Sequence, residues 1–211
     1  ACLEAKTLST LQPAFQNIVG AASMSVQRLV LTNFRCYSSL RMNIDSPLVV
    51  LTGANGAGKT NLLEAISFLV PGRGLRMARL SDLARRNNAD VNSNQCWAVA
   101  ATVNGLDGVY DVGTGVSEEV AREKPRRVVR INGVPARGQS ALGERLAALW
   151  LTPDMQRLFT EGASGRRRFL DRLVFGFDPS HAGRLKSFER SLRDRSRLLQ
   201  NKIIHGKAVD P

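Results

Sequence analysis

The stretch TGANGAGKTNLL, residues 52–63, decides the reading of this chain, because it is either a cradle for a phosphate or a glycine-rich turn before a helix. It fits G-x-x-x-x-G-K-[ST] at Gly53, Gly58, Lys59 and Thr60. Glycine admits positive φ and lets the backbone come close enough for successive N–H groups to converge on one anion. A helix starting near Lys59 adds the positive end of its dipole. The Lys59 ammonium would reach the outer phosphates of a nucleotide, and the Thr60 hydroxyl would take one position on Mg²⁺. The pattern carries weight only between a strand and a helix, and both are expected. After Pro47 the unbroken apolar run LVVLT suits a strand covered on both faces, while Leu62, Ile66 and Leu69 form one helical stripe that Pro71 and Gly72 stop.

Working outward, VQRLVL from Val26 reads as a strand. After TNFRCYSS, the apolar Leu40, Met42 and Ile44 alternate with Arg41, Asn43 and Asp45, which is a second strand with one buried face. Farther on, CWAVAATV, GVYDVG and RRVVRIN read as three strands joined by turns at Asn104-Gly105 and Asp107-Gly108, with Asn132-Gly133 turning the last; an antiparallel layer is expected. Leu142, Leu146 and Leu149 predict a short helix, LWLT a strand, and Ser164 a cap for the helix GRRRFLDRLVF. Beyond Pro179, Leu185, Phe188, Leu192 and Leu199 fall at intervals of three, four and seven, a heptad-like seam. Such a stripe is stabilised by packing on something, and a truncated helical lobe is therefore expected.

The net charge of +12, with a pI near 10.7, comes mostly from arginines in REKPRRVVR and GRRRFLDR. That field attracts polyanions, and arginine favours bidentate phosphate contacts, so nucleic acid is the expected partner and an anionic membrane is not. The alternative is a solvated basic surface with no partner. No apolar run approaches the roughly 20 residues of a membrane-spanning helix. Cys2, Cys36 and Cys96 form no C-x-x-C pair, which points to a reducing compartment. Residues 1–23 contain no cationic start followed by an apolar block, so they are not a secretory signal, and Met24 is the natural coding start. Residues 1–25 are accordingly expected to be a non-native or disordered extension.

Asn55 and Asn61 complete GANGAGKTNLLEAI, which is similar to the phosphate loop of ATP-binding cassette proteins of chromosome maintenance. Together with LVLTNFRCYSSL, PGRGLR, RINGVPARG, LTPDMQRLF, GASGRRRFLDRLVF and LRDRSRLLQ, in that order, the chain resembles the RecF recombination mediator family over residues 26–202. The resemblance implies an α/β fold: a cassette ATPase lobe, residues 26–160, with a mixed sheet around the phosphate-loop helix plus antiparallel strands, then the start of a helical arm lobe, residues 161–211. It implies a cytoplasmic, ATP-dependent dimer that clamps DNA in repair, replication restart and the SOS response, works with RecO and RecR, and helps load RecA. It assigns ATP contacts to Gly53, Ala54, Asn55, Gly56, Ala57, Gly58, Lys59, Thr60 and Asn61. The family is a weak ATPase, yet its signature motif and Walker B acidic pair lie beyond the matched region. LVFGFD, ending at Asp178, imitates Walker B, but Pro179 stands where a second acid belongs. Binding and hydrolysis are therefore separate matters, and this portion is expected to be monomeric or weakly associating.

Further candidates rest on the same resemblance. Arg35, in Asn33-Phe34-Arg35, would approach a phosphate or the base, or else form a solvated turn beside a core Phe34. Gln156 would sense Mg²⁺ alongside Thr60, or lie solvated on a helix. Arg73, Arg76, Arg166, Arg167 and Arg168 are the candidate DNA contacts, with one of the triplet expected to anchor on Asp171. His181 and His205 are read as isolated surface residues. The rivals are an inactive basic module that holds nucleic acid only, and a small P-loop kinase. Against the kinase stand antiparallel strands where alternating βα units would be expected.

Overall fold

The computed structural model describes residues 4–7, 24–85, 96–105, 107–117, 126–160, 162–178 and 180–205. Period-two alternation builds most of it. Strands β1 (Glu4–Thr7), β2 (Ser25–Phe34), β3 (Tyr37–Asn43) and β4 (Val49–Thr52) precede helix α1 (Lys59–Ser67); β5 (Trp97–Asn104), β6 (Val109–Val116), β7 (Val128–Ile131) and β8 (Val134–Pro135) follow it. Six of them form one sheet in the order β3-β2-β5-β6-β7-β8, and every described pairing is antiparallel. The chain then forms the short helix α2 (Ser140–Gly143), a 3-10 turn (Pro153–Arg157), and helices α3 (Ala163–Phe177) and α4 (His181–His205). Two compact units divide it, residues 1–156 and 157–211.

In the first unit, one sheet face is apolar and α1 lies on it. Leu29, Leu31, Phe34, Val99, Val103 and Val129 from the sheet are buried with Leu62, Ala65, Phe68 and Leu69 from α1 and the turn after it. Phe34, Phe68 and Trp97 meet edge to face, with centroids 5.4 to 6.2 Å apart. The α1 stripe thus packs where its spacing predicts.

Arg127 closes the far end of α1. Its guanidinium donates to the carbonyls of Phe68, Val70 (3.3 Å) and Gly72 (2.9 Å), to Gln139 Oε1 and to Thr114 Oγ1, and sits 5.1 Å from the Phe68 ring centroid. Burial pushes its pKa down to about 10, which still leaves it cationic at neutral pH beside the negative end of the helix. Replacing Arg127 with Leu strips donors from several carbonyls at once. The expected loss is about 2 kcal/mol, read as a lower urea midpoint at unchanged slope.

Several expectations change. TNFRCYSS is not a long connection: β2 runs to Phe34 and β3 starts at Tyr37, so only Arg35 and Cys36 turn the hairpin. LWLT forms no strand, and Leu149 is exposed while Leu142 and Leu146 are buried, because α2 ends at Gly143 and the following residues leave the helical period. Gly162, not Ser164, precedes α3, and it makes no side-chain cap. β4 is only half-buried, and among the described residues it pairs with β1 rather than inside the main sheet. That partner comes from the segment set aside on sequence; residues 1–3 and 8–23 of it lie outside the described residues, as does Pro179. Asn132 and Gly133 both have positive φ (50° and 78°) and turn β7 into β8 as predicted. No described helix is long and apolar enough to cross a membrane.

In the second unit, Phe188, Leu192 and Leu199 of the heptad seam are exposed on α4. His181 is not isolated. Its Nε2 lies 2.9 Å from Asp171 Oδ1 and its ring 5.4 Å from Phe175, so Asp171 is taken by α4 rather than by an arginine of the triplet. His205 ends α4.

Candidate nucleotide site

β4 delivers the chain to Gly53, and α1 leaves from Lys59, so the intervening loop is set between two regular elements as the pattern requires. Gly53, Gly56 and Gly58 all have positive φ (145°, 84° and 99°). At Gly58 glycine is required twice over, since a Cβ there would stand 2.6 Å from Tyr37 Oη and 2.8 Å from Cys36 Sγ. The hairpin tip thus buttresses the loop from behind, and Tyr37 Oη donates to the Gly58 carbonyl at 3.2 Å. Desolvation pushes the Tyr37 phenol up, so it remains a neutral donor at physiological pH.

No side chain caps α1, and its first turn holds no acid. The orphan N–H groups of that turn are therefore directed into the loop, with the positive end of the helix dipole behind them. Lys59 Nζ donates to the Gly53 and Ala54 carbonyls at 2.7 and 2.8 Å, folded over the loop it would serve. Ala54, Asn55 and Gly56 are exposed, Ala57 is half-buried, and Ala57 N–H closes a turn on the Ala54 carbonyl at 3.2 Å. Thr60 is exposed on the first turn, free of core packing. Among the described residues no group of three or more His, Cys, Asp or Glu could hold a metal ion. A hydroxyl beside a phosphate cradle instead suits Mg²⁺ carried on a nucleotide's own phosphates.

The hairpin tip holds what sequence reasoning missed. Asn33 and Arg35 both adopt left-handed conformations (φ 51° and 53°), which sinks Phe34 into the core and turns Arg35 toward α1. Arg35 makes a fork on Glu64, Nε to Oε2 at 2.9 Å and Nη2 to Oε1 at 2.8 Å, and gives its third donor to the Asp82 carbonyl at 2.8 Å. The Glu64 side chain has no solvent exposure, and Arg76 Nη1 approaches it at 3.3 Å while bonding Asn61 Oδ1 at 2.9 Å. Asn61 in turn donates to Cys36 Sγ. Arg35 is thus neither solvated nor, in this geometry, pointed at the loop; it ties hairpin to helix. Spacing alone held one clue: Asn61 and Glu64 are three apart, hence on one face of α1.

The other candidates are dispersed. Gln156 is exposed in the Pro153–Arg157 turn, with no described contact to Thr60. Arg73 is exposed in the loop after α1, and Arg166, Arg167 and Arg168 are exposed on α3. Asp178 ends a helix rather than a strand, and its carboxylate accepts from Ser180 N–H (2.9 Å), Ser180 Oγ and Arg184. Those bonds hold it down at about 2, and it caps the turn into α4 instead of standing as a Walker B acid.

Comparison with known proteins agrees with this geometry. Residues 25–155, more than half of the chain, match the RecF/RecN/SMC N-terminal domain model. The chain is 47% identical over 176 residues to the DNA replication and repair protein RecF of Rhizobium etli (strain CIAT 652), covering 83% of this chain and 45% of that protein. To the protein of the same name from Agrobacterium fabrum (strain C58 / ATCC 33970) it is 48% identical over 176 residues, with the same coverage. The chain thus spans rather less than half the length of these relatives. Among solved structures it is similar to the recombination mediator protein RecF-ATPrS of the RecFOR pathway, with a TM-score of 0.72 at 22% identity over 88% of this chain and 47% of that one. For RecF-ATP of the same pathway the TM-score is 0.65 at 24% identity, covering 85% and 47%.

Proposed function

The chain belongs to the RecF family within the RecF/RecN/SMC N-terminal domain group, and we propose that it is the ATP-binding part of a cytoplasmic DNA replication and repair protein. The observation that carries this reading is the uncapped start of α1 behind a left-handed glycine at position 58 crowded by Tyr37 and Cys36, with Lys59 already hydrogen-bonded across the loop. A nucleotide supplies the phosphates and the Mg²⁺ they carry. The first-turn N–H groups of α1 would hold the inner phosphates, Lys59, which donates to the Gly53 and Ala54 carbonyls, would hold the outer ones, and the Thr60 hydroxyl would take one position on the ion. Gln156 is the second candidate ligand for that ion. The proposal is for nucleotide binding; hydrolysis is a separate activity to which no described residue is assigned.

On the whole-protein scale, the activity is that of an ATP-dependent, dimeric DNA clamp acting with RecO and RecR in RecA loading and in the SOS response. Arg73 and the α3 triplet are the candidate phosphate contacts, giving affinity and salt dependence without base readout. Calorimetric titration of Mg-ATP into the folded chain tests the core of the proposal. Saturable binding at one site per chain is expected, and no heat from a chain with native circular dichroism would defeat it.

A further inference from the structure

The sheet face opposite α1 carries a groove that plays no part in the nucleotide site. Alternation along β2, β5 and β6 sends Leu29, Leu31, Val99, Val103 and Val112 inward and leaves Arg28, Val30, Ala100, Thr102, Asp111 and Gly113 on the other face. Register sets these in rows: Arg41, Val30, Ala100, Gly113 and Arg130 are successive cross-strand neighbours, and Arg28, Thr102 and Asp111 form the row beside them. Together with Gly133, most of these residues line a depression of about 230 Å³.

Its floor and banks differ in chemistry. The floor is Ala100 and Gly113, residue types that strand interiors ordinarily avoid and that permit close approach to the backbone. A Cβ at Gly113 would meet nothing within 4 Å. The banks are exposed guanidiniums, Arg28 on one side and Arg130 on the other, and exposed Arg41 stands one strand beyond Arg28. At the usual strand spacing, Arg28 and Arg130 spring from backbones about 14 Å apart, three strands across. Among the described residues neither Arg28 nor Arg41 has a carboxylate partner, and Arg130 donates to the Gly133 carbonyl of its own hairpin at 3.2 Å. One carboxylate lines the groove: Asp111, which accepts from Thr102 Oγ1 at 2.7 Å.

We propose that this face is a contact surface for the phosphate backbone of DNA, distinct from the phosphate loop and from the arginines of α3. The proposal rests on the DNA-binding reading above and gives it a place. A depression of about 230 Å³ is smaller than the pockets that enclose small molecules, roughly 300–1,000 Å³. Three guanidiniums spread over five strands match a chain of charges rather than one anion, and their planar forks suit phosphate oxygens. Nothing on the face is arranged to read base edges, so binding is independent of sequence and sensitive to salt.

The test is fluorescence anisotropy of a labelled DNA duplex, titrated with the whole chain between about 50 and 200 mM salt. The triple variant Arg28→Ala, Arg41→Ala, Arg130→Ala is expected to bind about 10- to 100-fold more weakly, with the slope of log K against log salt shallower by about 2 to 3. Gly113→Glu, which keeps every arginine and adds one carboxylate to the floor, is expected to weaken binding in the same direction. Mg-ATP binding by both variants should match the unaltered chain, since α1 lies on the other face. Arg190→Ala, Arg193→Ala, Arg197→Ala on α4 removes the same net charge elsewhere. An equal loss from that control, or no loss from the sheet variants while the unaltered chain binds DNA, overturns the surface and leaves the DNA-binding reading intact. No DNA binding by the unaltered chain overturns both.

Discussion

Lys59→Ala is expected to weaken Mg-ATP binding by at least about 100-fold while leaving the chain folded. The lysine supplies charge-assisted hydrogen bonds, worth roughly 1.5–3 kcal/mol each, so losing two removes two or more powers of ten in affinity. Folding is spared because Nζ now bonds the Gly53 and Ala54 carbonyls in an exposed loop, where water replaces it. Alanine at the first helical position also favours α1. Thr60→Ala separates the metal from the phosphate: affinity should fall in Mg²⁺ and stay unchanged in EDTA, because only the hydroxyl's position on the ion is lost. Calorimetry with both nucleotide forms, beside thermal melts, reads all of this. Unaltered affinity in Lys59→Ala would place the nucleotide elsewhere or make the loop vestigial, the outcome a purely nucleic-acid-binding module predicts.

What sequence made legible were features set by local rules. The loop, its flanking strand and helix, the existence of β2, β5 and β6, the alternation along β3, and the Asn132-Gly133 turn follow from glycine conformations, period-two and 3.6-residue spacing, and turn chemistry, all acting over a few residues. LWLT failed because the segment pairs with no described strand, which leaves Leu149 and Leu151 exposed. The partner of β4 was equally hidden. A strand's pattern tells which face is buried but not which edge pairs, and β1 contributes only four residues.

The site was half legible for a related reason. Each phosphate-loop residue is identified by the backbone it needs, whereas the Arg35–Glu64 fork joins residues 29 positions apart and depends on a two-residue hairpin tip that sequence spacing stretched into a loop. Glu64 drew no expectation from sequence, because nothing local distinguishes a buried glutamate from an exposed one. Asp178 was set apart from a Walker B pair on sequence by the proline that follows it. An apolar run ending in an acid imitates a strand-borne carboxylate, yet here the run is helical and the acid caps the next turn.

Arg35→Ala is expected to cost about 3–5 kcal/mol, the scale for stranding a buried carboxylate. Glu64 has no exposure and would keep only the 3.3 Å contact from Arg76, while the Asp82 carbonyl would lose its donor as well. Glu64→Leu should cost less, because the Arg35 side chain retains 21% exposure and can turn toward water. The double variant should be more stable than the sum of the two losses predicts, with a coupling of 1 kcal/mol or more on the usual scale of roughly 0.5–3 for contacting residues. Urea unfolding of the four proteins measures that coupling; additive losses would mean that the fork contributes nothing as a pair. The same cycle separates the two roles open to Arg35. If it only positions α1, ATP affinity falls by similar factors in Arg35→Ala and Glu64→Leu, since both loosen the helix that opens at Lys59. If the guanidinium swings from Glu64 to a bound phosphate, Arg35→Ala loses far more affinity than Glu64→Leu, and the gap widens from ADP to ATP.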